Sequence, residues 1–562
     1  MKVAEAIVDT LSELGVRDAF GIPGGVILEL LYAMRAKEGF SPHLCYHEQD
    51  AGFAACGYAQ AGGALGVAYA TRGPGFTNLI TPIADAFCDS IPTLFLTAHA
   101  ADCPPVGMRI LHDQELDTCE IVRSITKFAA RIDTQEEFAT LFPKALQTAL
   151  DGRKGPVFLD LSARLLHEDV DASKFNARVN GEEGRPDGSF GELVSALAAA
   201  RRPVVLIGDG LNGPRTVVDV RKQLAKLPLP ILSSRCGHAL AGGVENYFGY
   251  VGSHGIRTAN FILSKADLIV SLGNRLNFPL CSESFAEVFC HAGLIRVEID
   301  EAEFRREIPN STCIRADAVR ALEHLSSHVG ELGNHADWME VCRTLESRLH
   351  REDVNAVVES LSRLLSNIPP DAVVVSDVGN CEFFLSRAAV LAGSQNPFLY
   401  SKSFGALGCA LGKSIGAYYA TRKPVVCVVG DQGFQMNVQE LQHIATNRLP
   451  IAVVVVNNGI SGMMRDREMA LYGERLHVDQ ASGYAAPDLN AQAMAYGLRY
   501  DDFGCMDERI LDFMSSADVL PRVIGLRIDE AIELVPCLSR GSRCQNLWPP
   551  LSGDLYGMLN GL

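Results

Sequence analysis

The residues of this chain best suited to hold a metal ion are Asp431 and the pair Asn457-Asn458, because each stands where an apolar run ends. The first run, PVVCVVG, leads into the turn Gly430-Asp431-Gln432-Gly433, and the second, Ile451 to Val456, leads into Asn457. Runs of this length suit buried parallel strands, and the helical pattern between them completes a β-turn-α-β unit. Open α/β sheets bind ligands at the carboxyl edges of their strands, which is where these polar groups fall. The spacing is 458 − 431 = 27 residues. Oxygen ligands at two such edges, beside a helix start with free backbone N–H groups, suit Mg²⁺ carrying a diphosphate, since Mg²⁺ takes few protein oxygens and fills its shell with phosphate and water. Taken singly, Asp and Asn-Asn are also ordinary turn residues.

The whole stretch, GDQGFQMNVQEL through VVNNGISGMM, resembles the GDG…NN signature of thiamine diphosphate enzymes, and among these it is most similar to the acetohydroxyacid (acetolactate) synthases. The resemblance implies that Asp431, Asn458 and the main-chain oxygen of Ile460 hold the Mg²⁺, with Gly430, Gln432 and Gly433 beside the cofactor. Gln432 stands where the family usually has Gly. Upstream, FGIPGG resembles the family's FGYPGG loop and makes Gly24 and Gly25 cofactor neighbours. HEQ before a Gly- and Ala-rich helix places Glu48 at a helix start, which alone reads as a cap or dipole partner. The resemblance gives Glu48 another role, a hydrogen bond to N1′ of the aminopyrimidine that promotes loss of the C2 proton.

Further candidates follow in chain order. RGPGFTN parallels the family's SGPG turn and brings Pro74, Gly75 and Asn78 to the cofactor, while Arg72 replaces the usual Ser and would place a cation near the reacting centre. Gln114 aligns with an active-site Gln, and His112 beside it is a candidate acid or base. Gly379 and Asn380 end a strand and start a helix, so their backbone groups are placed to meet the terminal phosphate. In SFGALGCALG, Gly405 sets the register and Leu407 falls where the family's Met wedges between the cofactor rings. That wedge brings the 4′ nitrogen within reach of C2. Beyond the metal unit, Arg467 replaces the Trp that favours a 2-oxo acid acceptor, and Arg465 lies nearby. Both read as candidates for binding an anionic or sugar-like acceptor, or else as a solvated charged face.

The elements that must position these residues need more than one core, because 562 residues exceed a single domain. The reading is α/β, with three doubly wound domains built on parallel sheets: a pyrimidine-binding domain at 1–165, a central domain at 190–330 and a diphosphate-binding domain at 355–535, with a tail at 536–562. The polar stretch between Leu165 and Ser189 reads as a linker, and the tail as a segment that folds over the active site. A net charge of -17 argues against nucleic acid. Sixteen cysteines without paired spacing read as reduced packing residues of a cytoplasmic protein. No run has transmembrane length.

In the middle domain Gly208, Gly210 and Gly213 match GxGxxG, but the next strand ends in Ser233-Ser234 without the acidic ribose ligand that a nicotinamide site wants. GSHG at 252–255 and GNRL at 273–276 resemble the motifs that flank FAD in the family. The following Asp-Asp is missing, which disfavours FAD. Together these readings imply decarboxylation of a 2-oxo acid donor, pyruvate foremost, with transfer of the acyl unit to a carbonyl acceptor. The alternatives are simple decarboxylation to an aldehyde and a non-catalytic cofactor-binding subunit. Glu48 and Asp431 belong to different subunits' contributions in the family, so a homodimer or homotetramer is implied.

Overall fold

Short apolar runs separated by helical segments build three sheets in the computed structural model, which describes residues 1–100, 107, 109, 113–170, 190–212, 217–510, 521–539 and 541–562. The first sheet contains Asp18–Gly21 (β1), Ser41–Leu44 (β2), Gly66–Tyr69 (β3), Thr93–His99 (β4), Phe128–Ile132 (β5) and Pro156–Ser162 (β6), in the order β2-β1-β3-β4-β6-β5. The second contains Pro203–Ile207 (β7), Ile231–Ser233 (β8), Tyr247–Tyr250 (β9), Leu268–Leu272 (β10), Gly293–Glu298 (β11) and Ser311–Arg315 (β12), ordered β12-β11-β10-β7-β8-β9. The third contains Val373–Ser376 (β13), Phe398–Leu399 (β14), Val425–Gly430 (β15), Ile451–Asn457 (β16), Arg499–Gly504 (β17) and Arg522–Arg527 (β18), ordered β14-β13-β15-β16-β18-β17. All neighbours pair in parallel.

Both faces of each sheet are covered, which is why the strands read as unbroken apolar runs. Alternate residues of β15 enter different cores, Val425, Cys427 and Val429 in one and Val426 and Val428 in another. The first of these cores also contains Ala68, Phe95 and Phe158 from the first sheet, so one apolar interior joins the first and last domains.

The junction is a crossing of two helices, Glu48–Gln60 and Ala410–Thr421. A methyl placed on Gly57 would lie 2.2 Å from the Lys413 carbonyl oxygen, and one on Gly416 would lie 1.8 Å from that of Ala54. Only glycine admits backbone that close. Beside the crossing, Lys413 Nζ pairs with Asp85 Oδ2 at 2.9 Å with both side chains fully buried, and it also donates to the Tyr400 carbonyl at 2.9 Å. Ser401 Oγ donates to the other Asp85 oxygen at 2.5 Å. Those added bonds matter because a buried ion pair holds only when its remaining lone pairs are satisfied.

Two segments complete the middle domain, and the second differs from the sequence reading. The helix Ala336–Leu349 packs Trp338, Met339, Cys342 and Leu345 into the middle-domain core. The tail enters that same core instead of folding over the cofactor side. Its strands Cys537–Leu538 (β19) and Leu547–Trp548 (β20) form an antiparallel hairpin, and Cys544 and Leu559 are buried with Leu206 and Ile269. Buried arginines account for the path: Arg257 donates to the carbonyls of Leu547 at 3.1 Å and Pro549 at 2.6 Å, and Arg387 donates to those of Val535 and Pro536. Most of the predicted linker, from residue 171 to 189, lies outside the described residues.

The domain junction also contains Glu440, whose Oε1 accepts the N–H groups of Tyr46 at 2.6 Å and His47 at 3.1 Å. Burial pushes its carboxyl up to about 7. Burial and the Glu440 and Asp377 charges push Asp50, next to it, well above the usual carboxylate range.

Two outcomes follow from this junction. Gly416→Val is expected to destabilise the fold by about 3 kcal/mol, read as a lowered unfolding midpoint, because neither helix can retreat; an unchanged midpoint would disprove the close crossing. For Glu440 the folded-state value lies above the unfolded one, so its contribution to stability is present at low pH and is lost as pH rises through about 7. Glu440→Gln keeps the Oε1 acceptor and removes the charge. It should raise the unfolding midpoint at about pH 8 and leave it nearly unchanged at about pH 5, and a rise of equal size at both would rule out titration as the cause.

Candidate functional site

Carboxyl edges of the first sheet gather one group of candidate residues. Glu48 opens its helix just after the cap His47, whose Nδ1 accepts the Gln49 N–H at 3.0 Å. Asn78 Nδ2 donates to Glu48 Oε2 at 2.9 Å. The other oxygen, Oε1, would stand 3.2 Å from a methyl on Gly75, so the RGPG turn leaves room for the carboxyl only because that residue is glycine. Pro74 is the first residue of the short helix that ends at Asn78, where its lack of an N–H is no loss. Gly24 lies against Thr71, 2.3 Å from its Cβ if given a methyl, whereas Gly25 opens a single turn with free space around it.

Gln114 reaches the same turn by its backbone. Gly73 has φ +62°, and a methyl there would lie 2.4 Å from the Gln114 carbonyl oxygen. Next to Gln114, the buried Glu115 takes Arg72 Nη1 at 3.0 Å and the Ala100 N–H at 2.7 Å. The cation expected near the reacting centre is therefore bound to a carboxylate that ties down the Gln114 segment. His112 lies outside the described residues.

Edges of the third sheet gather the second group. Asp431 starts a helix directly after β15 and is 3 % exposed. Its Oδ2 is buried and lacks a hydrogen-bond partner among the described residues, and burial pushes the carboxyl up to about 6 against the opposing pull of nearby N–H groups. A buried carboxyl oxygen without a partner is a ready ligand for a hard cation, whose charge would offset the cost of burial. The side-chain amides of Asn458 and Asn380 converge on Gly462, where a methyl would lie 2.8 Å from the first nitrogen and 2.9 Å from the second. Asn380 Oδ1 is a second buried oxygen without a partner among the described residues. Asn458 Oδ1 accepts the Ile460 N–H at 3.3 Å, which curls the loop after β16. Gln432, in the family's Gly position, accepts from Ser461 Oγ at 3.0 Å and so fastens the turn to that loop. These features fit Mg²⁺ with a diphosphate: orphaned oxygens, a glycine-lined cradle, and the helix Asn380–Leu391 opening at Gly379.

The remaining candidates fare differently. Gly405 is exposed and Leu407 half-buried, on a loop that ends at Gly408. Arg465 needs correcting. It is 6 % exposed, pairs with Asp466 at 2.6 Å, and donates to the carbonyls of Glu530 and, at 3.2 Å, Ile532. Its donors hold the chain that leads to the tail, so it is not placed to bind an acceptor. Arg467, two residues on, faces elsewhere on the helix Gly462–Leu471 and is exposed.

The sequence reading missed Asp377. It follows β13 as Asp431 follows β15, and the strand-edge rule that found one would have found the other. It also passed over Asn437, whose Nδ2 bridges the Gly408 carbonyl at 3.0 Å and Gln49 Oε1 at 3.3 Å, between the two groups.

In the middle domain a cavity of about 590 Å³ is lined by the turns at Gly208–Gly210, Gly252–Gly255 and Gly273–Arg275. The first turn spends its N–H groups on the chain, Gly208 on Leu272 and Gly210 on Gly273, both at 2.9 Å. Gly213 lies outside the described residues. Three lining cations are already paired: Arg153 with Asp300 and Glu303, Arg235 with Glu382, and Lys402 with Asp209.

Comparison with known proteins places the chain in a family. Three family models match: thiamine pyrophosphate enzyme, N-terminal TPP binding domain, over residues 1–104; the central domain over 191–325; and the C-terminal TPP binding domain over 377–516. The chain is 30% identical to the acetolactate synthase isozyme 2 large subunit of Escherichia coli (strain K12), over 98% of this chain and 100% of that one. It is 30% identical to the acetolactate synthase large subunit of Lactococcus lactis subsp. lactis (strain IL1403), over 96% of this chain and 94% of that one. It is 31% identical to the isozyme 3 large subunit of Escherichia coli (strain K12), over 88% of each. With a match in every domain and relatives aligned along nearly its whole length, the chain belongs to the thiamine pyrophosphate-dependent enzymes of the acetolactate synthase type.

Proposed function

We propose that this enzyme, with Mg²⁺ and thiamine diphosphate, decarboxylates a 2-oxo acid, pyruvate foremost, and joins the acyl unit to a carbonyl acceptor. The observation that carries the reading is the Glu48 carboxyl, held by Asn78 at 2.9 Å at the head of a glycine-rich helix and given space by Gly75. Bound thiamine diphosphate would supply a nucleophilic carbon and an electron sink for the decarboxylation. In this reading Glu48 exchanges a proton with the aminopyrimidine N1′, and Asn78 fixes the orientation of the carboxyl. Asp431, Asn458 and the Ile460 carbonyl hold the metal. Gly379, Asn380 and the Gly430–Gly433 turn receive the diphosphate, and Leu407 supports the bent cofactor.

Gln114, on the turn beside Arg72, borders the reacting side, and Arg467 meets the acceptor. FAD stays outside this reading, because a second diphosphate in the middle cavity would compete with carboxylates for Arg153, Arg235 and Lys402. Large apolar side chains exposed on the first domain, Tyr32, Leu44 and Tyr46 among them, and on the last, Leu471, Tyr472 and Leu476 among them, support assembly of two or four copies. Among the described residues no helix is long and apolar enough to cross a membrane. The described cysteines are free thiols, which supports a cytoplasmic setting.

Glu48→Gln should lower C2-proton exchange and turnover by about 10²-fold or more while leaving the unfolding midpoint in place. Undiminished exchange would remove Glu48 from this role. Product identification after feeding pyruvate with a panel of aldehydes and 2-oxo acids tests the rest. A ligated product supports carboligation; acetaldehyde alone would make the protein a decarboxylase. No decarboxylation of any 2-oxo acid by cofactor-loaded protein would make it a binding subunit.

A further inference from the structure

The carboxyl of Asp377 lies where three parts of the cofactor cleft meet. It is 1 % exposed, and its own N–H is tied to the Val428 carbonyl of β15 at 2.8 Å. Oδ1 accepts the Val378 N–H at 2.6 Å and the Gly408 N–H at 3.0 Å, and Oδ2 lies 3.0 Å from that same Gly408 nitrogen. A methyl on Gly433 would stand 2.7 Å from Oδ2. One side chain thus bonds to the loop that carries Gly405 and Leu407, bonds to the residue before Gly379, and packs against the turn that contains Asp431.

The loop depends on this contact. Gly408 has φ +89°, a conformation that costs other residues strain, and its carbonyl is held from the far side by Asn437 at 3.0 Å. Hydrogen bonds to a carboxylate are stronger than neutral ones, and losing the acceptor would leave the buried Gly408 N–H and the partly buried Val378 N–H unpaired. We infer that Asp377 is a positioning residue for thiamine diphosphate, fixing the Gly405–Gly408 loop, and with it Leu407, against the Gly430–Gly433 turn. The inference rests on the reading that this loop and this turn face the cofactor.

The test uses Asp377→Asn in the full chain. The amide retains one oxygen but turns an N–H₂ toward the Gly408 N–H or toward Gly433. Titration of the cofactor-free protein with thiamine diphosphate and Mg²⁺ should show affinity reduced about tenfold or more in protein that still unfolds in one cooperative step, with at most a small drop in its midpoint. The same substitution in a Leu407→Ala background should add little, because the loop has then already lost its contact. Unchanged affinity would overturn the inference, as would a full additional loss beside Leu407→Ala or a lowered midpoint with no loss of affinity. Should Asp377→Asn fail to fold, Asp377→Ser, which shortens the side chain away from the Gly408 N–H without adding bulk, carries the test with the same readouts. Absence of thiamine diphosphate binding by the unaltered protein would overturn the reading of the cleft as well, a distinct outcome.

Discussion

The arrangement depends on two helices that touch through their backbones. Helix Glu48–Gln60 and helix Ala410–Thr421 cross so closely that carbonyl oxygens occupy the space where side chains would be, and the fully buried Lys413–Asp85 pair pins the crossing from one side. Everything proposed for the site hangs on these two helices. Glu48 opens the first, and the loop with Leu407 and Gly408 runs into the second. Because neither helix has slack, the Glu48 end of one and the Leu407 loop before the other are held in fixed relation within the chain by backbone packing, which is stiffer than side-chain packing.

Much of the fold was legible in the sequence. Strands covered on both faces must be apolar throughout, so PVVCVVG and IAVVVVN announced β15 and β16 almost to the residue. The edge rule then pointed to Asp431 and Asn458 as candidates, although either type is also at home in an ordinary turn. Glu48 was harder. Locally it is one acid at a helix start, and only its resemblance to a known motif singled it out.

What the sequence hid was decided by distant main-chain groups. Asp377 owes its importance to the N–H of Gly408, and Glu440 owes its own to the N–H groups of Tyr46 and His47, partners that no side-chain motif records. Arg465 shows the converse. Its charge read as a binding group, yet carbonyls of a segment more than sixty residues away take up its donors. The tail was misjudged for a similar reason: VPCLSRGSRCQNLWPPL has no periodicity of its own, and its place is dictated by Arg257, Asn260 and Arg387 waiting in other elements.

That placement bears on how the chain matures during synthesis. Cys544 and Leu559 lie in the same interior as Leu206 and Ile269, so the central domain closes its core with residues made after the whole third domain. The first domain waits for the third, with which it shares an interior, but the sheet between them must wait longer still, for the tail beyond the third, keeping apolar surface uncovered while hundreds of residues are being added. A domain that is second in the sequence is thus the last to be completed, and its exposed interval is the one a chaperone has most reason to guard.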